Sequence, residues 1–444
     1  MKEISEVSDP SRRHFCGAAA AVIAAVPIGM SGLFSERSEA MNAGAQQSVA
    51  DNMAIRPFHM TFSDAELTDL RRRIKATRWP EKETVTDHTQ GVPLATMQKL
   101  ASYWSTDYDW RNVETRLNKL PNFITEIDGL DIHFIHVRSK HPNALPVIIT
   151  HGWPGSIIEQ MKIIDPLTNP TAHGGSVADA FDVVIPSMPG YGFSGKPSTT
   201  GWDPDHIARA WVVLMKRLGY TKFVAQGGDW GAIITEQMGA HASPELLGIH
   251  TNMPGIFPAD IDKAAFSGAP APSSLSPDEK IAYERLAFVY SKGIAYGYQM
   301  GLRPQTLYGI EDSPVGLAAY FLDHDARSLT LIAGDFDGHP AGISRDDVLD
   351  NITLTWLTGT ALSGARLYWE NKLPFFGIKG VKIPVAVSVF PDELYPAPKS
   401  WSEQAFPKLI HYNRLAKGGH FAAWEQPTLF TEELRSGFKP LRTA

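Results

Sequence analysis

Six residues constrain this chain more than any others: Gln226-Gly227-Gly228-Asp229-Trp230-Gly231. They follow the apolar run Phe223-Val224-Ala225 and precede Ala232-Ile233-Ile234, so a strand should turn directly into a helix. Gly-x-Asp-x-Gly has the spacing of a strained strand-to-helix elbow, whose small flanking residues let the helix pack close to the strand. Such a turn lifts one side chain into a site beside the positive end of the following helix. A carboxylate held there can attack an electrophilic carbon and form an ester. By itself an Asp in a Gly-rich turn is more commonly a helix cap, so the rest of the chain has to decide its role.

The surroundings of the elbow alternate strand and helix. Phe123–Ile127 and Leu130–Ile135 alternate apolar and polar residues around Asp128-Gly129, the composition of a hairpin turn. Pro146–Thr150, Phe181–Pro186, Phe223–Gln226 and Leu246–His250 are apolar runs of the kind buried parallel strands show, with a helical stretch at Ile207–Leu218. Strands resume at Ile383–Val389 and Ile410–Leu415, after a helical block. The pattern predicts an α/β fold: a mostly parallel sheet in two parts (121–253 and 376–444), interrupted by a helical cap (254–375) over the carboxyl ends of the strands. Ahead of the sheet, 55–120 should form a helical N-terminal extension. Ser63 followed by Glu66 gives it a capping box, Leu67, Leu70 and Ile74 recur at helical spacing, and a second helix is expected over Pro93–Thr106.

The first forty residues are of another kind. Arg12-Arg13 precedes an Ala-rich apolar run, Cys16 to Met30, and a small-residue site near Ala40. The run is short for a bilayer span, which takes about 20 residues, and the pattern predicts a twin-arginine export signal over 1–40 with a flexible leader over 41–54. Export would place the mature chain in a bacterial periplasm or outside the cell, without stable membrane insertion. The one cysteine, Cys16, falls within that signal, leaving the mature chain no disulfide, cysteine nucleophile or zinc–thiolate site. The net charge of -7 and the absence of a basic block argue against a nucleic-acid partner. Neither a P-loop nor a dinucleotide fingerprint occurs, so no cofactor is expected. Asp335, Asp337 and His339 have a loose metal-ligand spacing but lie in a Gly-containing polar segment of the sort that is ordinarily solvated. No metal is therefore expected.

Three further segments bear on Asp229. Thr150-His151-Gly152-Trp153-Pro154-Gly155 ends a strand where an oxyanion-hole loop should lie, so the backbone N–H groups of Trp153 and Trp230 would face an ester carbonyl. Lys417-Gly418-Gly419-His420-Phe421 puts a histidine on a Gly-rich loop after the last strand, in the chain order nucleophile, acid, histidine. His420 can activate a water against the ester. Its orienting acid should follow the preceding strand, where Asp392 and Glu393 stand side by side and spacing does not choose between them.

These motifs resemble the microsomal-type epoxide hydrolases, from about Ile55 to the C-terminus. The resemblance is carried by Arg78-Trp79-Pro80, His151-Gly152-Trp153-Pro154-Gly155-Ser156, Met188-Pro189-Gly190-Tyr191-Gly192-Phe193-Ser194, Gly227-Gly228-Asp229-Trp230-Gly231, Arg303-Pro304-Gln305-Thr306, Asp312–Tyr320 and Gly418-Gly419-His420-Phe421-Ala422-Ala423. It implies the α/β-hydrolase fold, a helical N-terminal region wrapped on the core, a cap bearing two tyrosines, and Glu393 as the acid. In the family pattern the tyrosines fall on Tyr368 and Tyr296. Around the latter, Ala295-Tyr296-Gly297-Tyr298-Gln299 shifts the family's glutamine, which leaves Tyr298 as a rival. Epoxide opening suits phenols, because the ring oxygen leaves as an alkoxide and a phenol donates a proton while uncharged at neutral pH.

The expected reaction is therefore hydrolysis of an apolar epoxide to a diol through an Asp229 ester, in a pocket whose aromatics would include Trp153, Trp230, Phe193 and Trp424. Two rivals share the sequence. A haloalkane or haloacid dehalogenase would use the same Asp with indole or amide donors for halide, and a catalytically silent homologue would only bind ligand.

Overall fold

The computed structural model describes residues 54–442 apart from Pro340. The arginine pair, Cys16, the apolar run and all of the leader except Ala54 lie outside the described residues. Among the latter, no helix is long and apolar enough to cross a membrane.

Among the described residues, nine strands build one sheet: β1 (Arg56–Pro57), β2 (Asn122–Ile127), β3 (Leu130–Val137), β4 (Leu145–Thr150), β5 (Phe181–Pro186), β6 (Phe223–Gly227), β7 (Leu246–Thr251), β8 (Val385–Val389) and β9 (Leu409–Arg414). Their order is β1-β2-β3-β5-β4-β6-β7-β8-β9. The first three strands run antiparallel, closed at Asp128-Gly129, where φ of 51° and 79° gives the left-handed pair a two-residue hairpin needs. From β5 to β9 every pairing is parallel. The apolar runs read from the sequence sit on these strands, and β6 and β8 are buried along their whole length. After β4 the chain adds β5 on one side and then returns to add β6 on the other. Connections leave in opposite directions at that point, and a crevice opens beyond the carboxyl ends of β4 and β6.

The extension contains three helices. Asp64–Lys75 begins at the expected capping box: Glu66 N–H donates to Ser63 Oγ at 3.3 Å and Ser63 N–H to Glu66 Oε2 at 2.7 Å. It buries Leu67, Leu70 and Ile74, and Leu94–Thr106 buries Met97, Leu100 and Trp104. The third helix, Trp110–Asn118, is short and was not evident from periodicity. Asp109 caps it by accepting from Arg111 N–H at 3.0 Å, and it buries Trp110, Val113 and Leu117.

Between β7 and β8 the chain forms the cap, a run of helices from Ala259 to Glu370. The extension touches the sheet, to which it adds β1, but its polar contacts go chiefly to the cap. Trp104 Nε1 donates to Thr353 Oγ1 at 2.9 Å, Tyr108 OH donates to Asp350 Oδ1 at 2.8 Å, and Arg116 pairs with the same carboxylate. Thr353 and Asp350 belong to the cap helix Arg345–Thr358. Burial pushes Asp350 up to about 7, against its hydrogen bond from Tyr108 and the nearby Arg116 charge. On the opposite side of that helix Asn351 Nδ2 donates to the Pro154 carbonyl at 2.8 Å, so extension, cap and the loop after β4 are joined in series.

Candidate active site

Asp229 stands at the junction of β6 and the helix Trp230–His241 with φ 52° and ψ -127°. Side-chain-bearing residues seldom occupy that region, at a cost of about 1–3 kcal/mol. Packing enforces it: a Cβ on Gly227 would overlap the Gly231 carbonyl, and one on Gly231 would overlap the Thr150 carbonyl of β4. The elbow can therefore form only where both positions are glycine. Asp229 is nearly buried, and its Oδ1 accepts from Trp153 N–H at 2.7 Å. Gly152 makes that approach possible, since any side chain there would collide with the Asp229 carboxylate. Trp230 is the first residue of its helix, so its N–H is among those the helix itself leaves unused.

His420 follows β9 on the predicted Gly-rich loop. Its ring is buried, with Nδ1 2.6 Å from Glu393 Oε1 and Nε2 3.7 Å from Asp229 Oδ2. Burial of the ring opposes a charge, yet the adjacent Glu393 carboxylate, with Asp229 and Asp325 beyond it, pushes His420 up to about 10. The choice that spacing left open is thereby given a geometry: Glu393 is buried against His420, whereas Asp392 is half exposed and pairs with Arg327. His151 is kept out of this chemistry. Burial lowers it to about 4, its Nδ1–H donates to the Gly152 carbonyl at 3.0 Å, and its Nε2 accepts from Met188 N–H at 3.2 Å.

Two tyrosines come down from the cap. Tyr296, on the helix Ala295–Leu302, stacks on Trp153 at 4.7 Å between ring centres. Tyr368, on Ala361–Glu370, meets Trp230 edge-on at 4.7 Å and lies 6.3 Å from the Tyr296 ring. Burial first, and the nearby Asp229 charge as well, raise both phenols well above their usual range, so both remain protonated donors. Tyr298 turns the other way: it is 39% exposed and donates to the Tyr290 carbonyl at 3.0 Å. Of the expected pocket aromatics, Trp153 and Trp230 line the site, while Trp424 packs behind His420 on Phe421. Phe193 is a correction. It packs with Phe58, Phe62 and His133, where the extension meets β3, because the loop after β5 folds back along β3, to which Ser187, Ser194 and Gly195 are hydrogen-bonded. In the Asp335–His339 segment, Asp337 pairs with Lys99 of the extension and Asp335 is buried on the helix Ala326–Phe336.

Sequence reasoning missed two buried groups here. Glu159, on a single 3₁₀ turn after the Trp153 loop, is pushed up to about 8 by burial. With Gln160, Gln226, Asn252, Asp229 and His420 it lines a cavity of about 20 Å³, room for one water. His324 lies 4.3 Å from His420, ring centre to ring centre. Neither position follows a motif, and only the fold brings them together.

Known proteins resemble the chain over most of its length. The family described as Epoxide hydrolase N terminus matches residues 55–160, and the alpha/beta hydrolase fold family matches 146–279. A protein of Stigmatella aurantiaca (strain DW4/3-1), provisionally named an epoxide hydrolase, is 51% identical over 390 residues, 87% of this chain and 86% of that one. Epoxide hydrolase 1 of Sus scrofa is 36% identical over 411 residues, 88% of this chain and 90% of its own. Among solved structures, juvenile hormone epoxide hydrolase from the silkworm Bombyx mori superposes with a TM-score of 0.76 at 27% identity, over 88% of this chain and 95% of that one.

Proposed function

The chain belongs to the epoxide hydrolase family of the α/β-hydrolase fold and is an enzyme of that class; from that premise we propose that it converts an apolar epoxide to a vicinal diol through an ester of Asp229. One observation carries this reading. The Asp229 carboxylate is held at Oδ1 by Trp153 N–H and faces His420 Nε2 at Oδ2, and its neighbours Trp153 and Trp230 carry the two buried phenols of the cap, Tyr296 and Tyr368.

In the first step Asp229 Oδ2 attacks an epoxide carbon, the C–O bond breaks, and the alkoxide accepts hydrogen bonds from Tyr296 and Tyr368. Esterification removes the Asp229 charge, one of the carboxylates that hold the proton on His420. That proton passes to the alkoxide and leaves His420 neutral. In the second step His420, oriented by Glu393, takes a proton from a water in the cavity beside Glu159. The resulting hydroxide attacks the ester carbonyl, and the oxyanion faces the N–H groups of Trp153 and Trp230. Collapse releases the diol, restores the Asp229 carboxylate and leaves His420 protonated. The dehalogenase and silent-binder readings lose their support with the family assignment.

A single turnover in ¹⁸O-labelled water tests the scheme. The first diol should carry an unlabelled oxygen from Asp229, and direct entry of label into that first product would refute the ester. Export through the 1–40 segment is part of the proposal on the strength of its residue pattern. Subcellular fractionation and sequencing of the mature N-terminus test it, and an uncleaved chain confined to the cytoplasm would contradict it.

A further inference from the structure

His324 has no task in the proposed reaction, although it is buried beside the two groups that do. Its Nδ1 lies 2.9 Å from Asp325 Oδ2. With Nδ1 engaged, Nε2 is the free face of the ring, and it has no hydrogen-bond partner among the described residues. His420 is built in the same way, with Nδ1 on Glu393 and Nε2 toward Asp229. Two imidazoles, each backed by a carboxylate, thus flank a third carboxylate. One donor atom from each of Asp229, His324 and His420 lies within 4.8 Å of the others.

From this geometry we propose that Asp229, His324 and His420 form an inhibitory binding site for Zn²⁺. Two imidazole nitrogens and one carboxylate oxygen make a three-ligand set that zinc accepts, with water as a fourth ligand. A carboxylate behind each Nδ1 is the usual support of a metal-bound histidine, fixing its tautomer and raising its basicity. Tetrahedral bonds of about 2.0–2.1 Å put donors roughly 3.4 Å apart. The Asp229–His420 pair, at 3.7 Å, is already near that spacing, and the trio needs to contract by about an ångström or so. The ion would displace the proton of His420 Nε2 to solvent and occupy a lone pair of the nucleophile, so it silences the reaction. Mg²⁺ and Ca²⁺, which prefer oxygen ligands, should not compete for the site.

The inhibition rests on the function proposed above, whereas the metal binding does not, so the two are measured separately. Untagged protein freed of metal by chelator is dialysed against Zn²⁺ and its metal content determined. One Zn²⁺ per chain is expected, with hydrolysis of a simple epoxide such as styrene oxide falling about tenfold or more as the site fills and returning on addition of EDTA. In His324→Asn the amide nitrogen replaces Nδ1 toward Asp325 while the Nε2 donor is lost. This variant should keep basal hydrolysis within about threefold and bind Zn²⁺ at least about tenfold more weakly. Unchanged zinc affinity in the variant, or no bound zinc in the wild type, overturns the site. Should the variant not fold, Co²⁺ in the wild type decides: strong visible bands of a four- or five-coordinate ion support the site, and the pale spectrum of a six-coordinate ion overturns it. A chain that binds zinc yet turns over no epoxide would instead refute the function and leave the metal site standing.

Discussion

Replacing Glu393 by Gln should split the proposed cycle between its two chemical steps. Glu393 Oε1 lies 2.6 Å from His420 Nδ1, and both side chains are almost fully buried. Charges about 4 Å apart at an effective dielectric constant of about 20 interact by roughly 4 kcal/mol, or about 3 pKa units. Glu393→Gln should therefore bring His420 from about 10 to roughly 7. The amide can still accept one hydrogen bond, but the imidazolium formed during water activation loses its anionic partner. General-base steps that lose such support slow by about 10²–10⁴-fold. Asp229, Tyr296 and Tyr368 are untouched, so ester formation should stay within about tenfold of the wild type. Rapid mixing with excess epoxide, acid quench and intact-protein mass spectrometry should then find the chain heavier by one substrate molecule. Epoxide should disappear in a burst of about one equivalent with no matching diol. Diol appearing in step with epoxide loss from the first turnover, or an attack step slowed as much as overall turnover, would refute the division of labour.

Other expectations are independent of that one. Tyr296→Phe and Tyr368→Phe each remove a donor to a developing alkoxide, about 1.5–3 kcal/mol. Each should lower kcat/KM roughly 10–100-fold, while Tyr298→Phe should stay within about twofold; the reverse pattern would exchange the two rivals. Glu159 is pushed up to about 8 from 4.5, so between those pH values the unfolded chain sheds this proton and the folded chain keeps it. The contribution of Glu159 to stability therefore falls as pH rises through that window. In urea, Glu159→Gln should match wild type near pH 4.5 and exceed it by on the order of 4 kcal/mol at pH 8. Equal stability at both pH values would show that Glu159 folds ionised. Gly152→Ala drives a methyl group against the Asp229 carboxylate. It should cost about 10²-fold or more in kcat with the far-UV circular dichroism preserved, and retained activity would remove Asp229 from the nucleophile's position.

The parts of the site that the sequence made legible are those whose constraint is local. Gly227 and Gly231 are dictated by backbone contacts within one turn and with β4, so the elbow shows itself in five residues. The capping box at Ser63 and the Asp128-Gly129 hairpin are local in the same sense. His420 could be found from chain order, because the last strand precedes it. The choice of Glu393 over Asp392 needed the family resemblance, since adjacent carboxylates differ only in which direction each one faces. Phe193 was misplaced for a related reason: its motif marks a loop, and which surface that loop packs on depends on the extension more than a hundred residues earlier. Glu159 and His324 left no local trace, because their neighbours come from strands, cap and C-terminal loop.

The series connection from Trp104 and Tyr108 through the Arg345–Thr358 helix to Pro154 bears on how a substrate gets in. A roof bolted to the wall on one side and to the floor on the other cannot swing as a hinged door would. Moving it would break buried hydrogen bonds and disturb the peptide next to the Trp153 N–H that holds Asp229. Selection is then expected to rest on the fit of an epoxide among Trp153, Tyr296 and Tyr368 more than on a hinge that opens and shuts. Substitutions that loosen the tie, such as Asn351→Ala, should therefore broaden the range of epoxides taken, and an unchanged range across a substrate panel would refute the fixed roof.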